Sequence, residues 1–160
     1  MAIQLESSLV WQTLEKELFA VLGMVTAKNE ARTVGIVYKA HEQKVYIASG
    51  RETWKVRHVR NNPHVSLTVT IPKRVPLMPF IKIPAATITF RGTARVLEVS
   101  EVAAAVKASL LRGLDMESEL VKNMVMIEVE PQGEFVTYGI GVSLMTMRHP
   151  DQSRGRASVA

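Results

Sequence analysis

The sequence contains no cysteine. That excludes disulfide staples, thiolate metal sites and a cysteine nucleophile, and it suits the cytoplasmic location expected here. Aromatic residues are scarce too, at 6% of 160 residues, which leaves few platforms for stacking unpaired bases. The longest apolar stretch, Leu18 to Val25, falls far short of the ~20 residues of a membrane-spanning helix, and no membrane partner is expected. Four histidines, His41, His58, His64 and His149, lack the helical spacing and acidic partner of a metal site, and none is nominated. Gly139-Ile140-Gly141 has neither the third glycine nor the strand–helix setting of a dinucleotide fingerprint. No serine stands in a nucleophile elbow and no carboxylate pair stands out, so no catalytic side chain is named.

What is present reads as a globular chain of one domain. Hydrophobic residues make up 47% of the sequence, enough for a core that needs no covalent staple. The net charge of +5 favours an anionic partner, either a nucleic acid or a phosphorylated small molecule. Residues 1–150 are read as the domain and 151–160, DQSRGRASVA, as a flexible basic tail.

In chain order, residues 5–17 have near-helical apolar spacing and 18–28 suit a first strand. A hairpin turn at Asn29-Glu30-Ala31 leads into a second strand, 32–39, whose Gly35 marks a bulge or a close approach to the backbone. AHEQ is read as a turn before a third strand at 44–49, and HVSLTVTI as a fourth. PKRVPLMPFIKIP, with four prolines, cannot pair regularly, and its Met78, Phe80 and Ile81 call for a cover. Then come a long strand at 86–99 with a bend at Gly92, a Ser100-capped helix ending at Gly113, a strand at 123–131, a turn at Pro131-Gln132-Gly133 and a final extended segment. Strands arranged as hairpins point to a mainly β fold, an antiparallel barrel of six to seven strands with helical decorations.

The segment VYIASGRETWKVRHVRNNPHVSLTV carries the strongest functional signal. A strand runs into the small-residue turn Ala48-Ser49-Gly50, Thr53 stands as the cap of a basic helix, and Pro63 ends that helix. The free amides at the helix start, with Lys55 just inside, form a ready site for a phosphate. Arg51, Arg57, His58 and Arg60 add positive charge, while Val56 and Val59 supply the buried side. A phosphorylated cofactor is the expected occupant. A nucleic-acid module built on the same helix is the competing class, weakened by the helix's shortness and the few aromatics.

This segment, with GMVTAK–NEARTVGIVYK before it and FRGTARVLEV after it, resembles the pyridoxamine 5′-phosphate oxidase-like, FMN-binding split-barrel superfamily. The resemblance implies a Greek-key split barrel and a cytoplasmic homodimer with flavin in the dimer cleft. It further implies an oxidoreductase acting on a small molecule, in which FMN, or a deazaflavin in its place, does the redox chemistry. By position, Thr53 and Lys55 match the family's phosphate ligands and Ser49 lies on the same turn. The backbone of Val34, Gly35, Ile36 and Val37 matches the edge facing the flavin ring. Trp54 stands where many relatives carry arginine, with Arg51 as a substitute charge; packing or a dimer contact is the first reading of Trp54, stacking on a flavin the second. The C-terminal substrate segment of true pyridoxamine phosphate oxidases has no counterpart here, so that particular reaction is not expected. A non-catalytic flavin or haem carrier is a further alternative on the same barrel.

Overall fold

The alternating residues of the strands sort onto two faces in the computed structural model, which describes residues 2–160. Among the described residues nine strands form: β1 (Ile3–Gln4), β2 (Phe19–Val25), β3 (Ala31–Val37), β4 (Lys39–His41), β5 (Lys44–Gly50), β6 (His64–Ile71), β7 (Ala86–Glu98), β8 (Met124–Tyr138) and β9 (Arg154–Ser158). The helices are α1 (Ser7–Lys16), α2 (Trp54–Asn61), α3 (Ala104–Leu110), α4 (Glu119–Lys122) and α5 (Pro150–Ser153). The sheet runs β3-β2-β6-β7-β8-β9-β1, and β5, carrying β4, pairs with the first half of β8. It does not close into a continuous ring, as a split barrel requires.

The expected class holds, with more strands than the six to seven read from sequence. All pairings are antiparallel except β1 with β9, which is parallel. Two of the additions come from short segments. AHEQ is a turn only in its second half: Glu42 and Gln43 both take positive φ (48° and 57°) and make a two-residue hairpin turn without the usual glycine, while Ala40 and His41 belong to β4. The last ten residues are not a loose tail: they complete α5 and form β9, with Gly155 and Ala157 buried. Pro131-Gln132-Gly133 is likewise no chain reversal. Gly133 (φ 78°) lets β8 kink and continue, and the β7–β8 register slips between Thr89 and Arg91.

Inward residues of β2, β6, β7 and β8 form the main core with α1 and α2. Phe135 lies at its centre, edge-on to both Trp11 (5.2 Å) and Phe90 (5.4 Å). Trp11 Nε1 donates to the Val159 carbonyl (3.2 Å), and the Tyr38 hydroxyl donates to the Leu14 carbonyl (2.8 Å), so the middle and the last turn of α1 are tied to residues that flank the strands. Burial, aided by the nearby Glu17 charge, pushes the Tyr38 hydroxyl well above its usual range. A second cluster of Tyr46, Val102, Val106, Leu111, Val121 and Met126 lies under α3 and α4. The helix expected from Ser100 starts later. Glu98 and Glu101 cap each other around a 3-10 turn at Val99–Glu101, so α3 opens only at Ala104, after Ala103.

Between the two clusters, one polar rung crosses three strands. Glu128, 5% exposed, accepts from Arg95 Nε (2.7 Å), the Tyr46 hydroxyl (3.0 Å) and Lys44 Nζ (3.3 Å). Tyr46, Glu128 and Arg95 are register partners on β5, β8 and β7, so the network fixes how those strands align.

Candidate functional site

Helix α2 is positioned from two sides. Val56 and Val59 are buried in the main core, and Pro63 follows the helix end at Asn61. On the other side, the turn after β5 is pinned by Arg51 N–H donating to the Asn123 carbonyl (2.8 Å) and Thr53 N–H donating to the Gly50 carbonyl (3.2 Å). Thr53 is the N-cap residue by backbone, but its side chain caps no helix amide. Its hydroxyl instead pairs with that of buried Ser49 (2.8 Å). The first intrahelical bond near this end runs from Arg57 N–H to the Thr53 carbonyl, so the amides of Trp54, Lys55 and Val56 stand ahead of it at the positive end of the dipole. The Thr53→Ala variant is expected to lose about 1 kcal/mol of stability, the usual net worth of one hydrogen bond, seen as a lower urea midpoint with an unchanged slope.

Beside this helix opens a cavity of about 500 Å³ lined by Thr26, Ala27, Lys28, Glu30, Arg32, Trp54 and His58. Its floor is the loop between β2 and β3, shaped by Thr26, whose Oγ1 accepts the N–H groups of Lys28 (3.2 Å) and Glu30 (3.1 Å). Asn29 supplies the positive φ that the turn demands (60°). Trp54 and His58, one helical turn apart, meet edge-to-face at 5.6 Å and make the wall. Two cations, Lys28 and Arg32, oppose one carboxylate, Glu30, which lies 3.9 Å from Arg32.

The nine residues named from sequence divide unequally over this geometry. Trp54 lines the cavity, and Thr53, Lys55 and Ser49 cluster at the start of the same helix. Lys55 is half-buried and makes no ion pair among the described residues. Arg51 faces away into a two-pronged pair with Glu98 (2.7 and 2.6 Å), and these bonds hold the Glu98 carboxyl below its ordinary range. Along β3, Gly35 and Val37 face outward, Ile36 points into the core and Val34 is half-buried against it. The β2–β3 register is unbroken, so Gly35 is not a bulge. What approaches it is the ring of Phe19, 3.0–3.1 Å from where a Cβ would stand. Five lining residues escaped the sequence reading: Thr26, Ala27, Lys28, Glu30 and Arg32. Their signal was two cations flanking a hairpin turn, in TAKNEAR.

The chain belongs to the pyridoxamine 5′-phosphate oxidase family, whose model matches residues 10–137. Members of this family commonly bind a flavin and generally form dimers. No curated protein sequence matches the chain. Among solved structures it is similar to a putative pyridoxamine 5′-phosphate oxidase from Listeria innocua, with 19% identity and a TM-score of 0.59 over 79% of this chain and 93% of that one. It is also similar to an F420 reductase, with 17% identity and a TM-score of 0.56 over 78% and 93% of the two chains. A third is HutZ, a haem storage protein of Vibrio cholerae, with 16% identity and a TM-score of 0.64 over 88% and 98%. At such identities these likenesses establish the shared fold.

Proposed function

We propose that the chain is a flavin-dependent oxidoreductase that holds FMN against α2 and works as a homodimer on a small-molecule substrate. The observation that carries this reading is the cationic cavity beside the uncapped start of α2. Lys28 and Arg32 offer charge, the amides of Trp54, Lys55 and Val56 offer directed donors, and Trp54 offers an aromatic wall. These residues fit a phosphorylated, planar ligand. Strand β3 runs from Ala31 along Gly35 to Val37 and, among the described residues, pairs with β2 alone on the sheet path, so its outer edge is open to a ligand. When bound, FMN would supply the two-electron chemistry for which no protein side chain is nominated.

In this reading Thr53 and Lys55 meet the phosphate, Ser49 holds Thr53, and Arg51 acts through Glu98 to fix the turn. The backbone of residues 34–37 faces the ring. The dimer is supported by the outer face of β2, β3, β6, β7 and β8, where Phe19, Val37 and Val136 are exposed around Gly23, Ser66, Thr68 and Thr89. Such a flat, half-apolar strip suits a second copy. Titration of the purified protein with FMN, read by flavin fluorescence and absorbance, is expected to saturate at one FMN per chain. A parallel titration with deazaflavin tests the alternative cofactor. Failure to bind either would end the proposal, as would a monomer by light scattering that binds FMN at full stoichiometry.

A further inference from the structure

Residues 72–85, between β6 and β7, contain Pro72, Pro76, Pro79 and Pro84 and form no strand. They form two consecutive tight turns. Met78 N–H donates to the Val75 carbonyl (3.2 Å) and Ile81 N–H to the Met78 carbonyl (3.1 Å). Each turn has proline at its second position, where a fixed φ favours the bend. Its third position is then Leu77 in one turn and Phe80 in the other. Both side chains are pushed into solvent, Leu77 at 99% and Phe80 at 78% exposure, flanked by exposed Met78 and Ile81.

Leu77 makes the arrangement telling. Its φ is +64°, a region where a Cβ is unfavourable and glycine or asparagine is the ordinary choice. A segment that needed only to turn would carry glycine there. This one carries a strained leucine and shows all of it to water. The charges around the tip are of one sign: Lys73, Arg74 and Lys82 lie within the segment, and residues 72–85 include no aspartate or glutamate.

The sheet adds more apolar surface at the same end. Ile71 and Ala86 are the last paired residues below the loop, and Ala20 pairs with Val69, so Leu18, which is exposed, stands beside the loop's base.

From this geometry we infer that the 72–85 loop is a peripheral membrane anchor, inserting Leu77 and Phe80 below the headgroups of an anionic bilayer while Lys73, Arg74 and Lys82 contact its phosphates. A rigid double turn loses little conformational freedom on insertion, and basic residues at its base match the negative surface of such a leaflet. No helix of the described residues is long and apolar enough to cross a membrane, so the contact is superficial. It departs from the sequence expectation of no membrane partner, which was drawn from the lack of a spanning segment. It does not depend on the cofactor reading.

The test is co-sedimentation of the full chain with vesicles of phosphatidylcholine alone and of phosphatidylcholine mixed with phosphatidylglycerol. Binding is expected to the mixed vesicles only, weakening as salt is added. The double variant Leu77→Asp/Phe80→Asp should partition at least about tenfold more weakly, and so should Lys73→Glu/Arg74→Glu/Lys82→Glu. All of these side chains lie on the loop, so unchanged circular dichroism and thermal midpoint should accompany the loss. No binding to mixed vesicles at low salt overturns the inference, as does equal binding by the Leu77→Asp/Phe80→Asp variant. A change in oligomeric state in that variant without any vesicle binding also overturns it, since the tip would then cover a second copy.

Discussion

The Arg32→Ala/Lys55→Ala variant should bind FMN about a hundredfold more weakly than the unaltered chain, at about tenfold for each lost charge-assisted contact. The two cations approach the proposed ligand from different elements. Arg32 lines the cavity near the start of β3, and Lys55 lies in the first turn of α2, next in sequence to the lining residue Trp54. They share no protein partner, and because both would meet the same ligand their effects should add only roughly. Arg32 is largely in water and its weak link to Glu30 spans 3.9 Å, which leaves it free to turn to an anion. Neither change touches the core, because α2 is held by Val56 and Val59 on its buried side. The unaltered protein should also lose affinity as salt rises, and the variant should lose less. Isothermal calorimetry at two ionic strengths measures both. An affinity within threefold of the starting value would move the phosphate away from α2.

Glu128→Ala should cost about 3 kcal/mol at neutral pH. The side chain is buried and accepts three hydrogen bonds, so its removal strands the Tyr46 hydroxyl inside the protein. Lys44 and Arg95 keep access to water and can rehydrate, which holds the loss toward the lower end for a broken buried pair. The same network sets an acid response. Burial alone would raise the Glu128 carboxyl, but the bonds from Arg95, Tyr46 and Lys44 outweigh it and leave it below the ordinary carboxylate value. Tyr46 is correspondingly raised to about 12, by burial first and then by its bond to Glu128. Because the folded carboxyl is the more acidic, the unfolded chain takes up its proton first as pH falls. The stabilisation is therefore complete above the usual carboxylate value of about 4.3 and fades as pH drops from there through the lower folded value. Urea midpoints of Glu128→Gln should fall less steeply than those of the unaltered protein over that acid range. Parallel slopes would remove Glu128 from the acid response.

How much of this was written in the sequence varies with the range of the forces involved. Strands β6 and β7 were legible because their inward positions alternate with serine, threonine and arginine, and β2 and β5 because they are runs of apolar and β-branched residues, signals that survive without neighbours. α2 was legible for the same local reason, with Val56 and Val59 three apart and proline at its exit. The turn in AHEQ was read, but strand β4 beside it was hidden, because the pairing of Ala40 and His41 shows only once β5 is placed beside them. Strand β9 was hidden because Arg154 to Ser158 look like solvent-loving sequence until β8 is placed beside them. The kink at Gly133 looked like a turn because local chemistry does not say whether a chain that bends will also reverse.

The candidate site shows the same division. Thr53, Trp54 and Lys55 could be named because they are consecutive at a helix start. Lys28 and Arg32 could not, because they reach the cavity only once the first hairpin folds against α2. The commitment of Arg51 to Glu98, 47 residues away, and the use of Gly35 by Phe19 are likewise contacts between distant parts of the chain.

The parallel pair of β1 and β9 joins Ile3 to Gly155 and Gln4 to Arg156, and Leu5 N–H donates to the Arg156 carbonyl (2.8 Å). During synthesis, then, residues 3–5 lack these partners until residues 155 and 156 have left the ribosome. α1 meets the same delay, since Trp11 finds its acceptor only at Val159. A nascent chain halted at residue 140 should leave α1 without this bond and more open to protease, and emergence of residues 141–160 should close it.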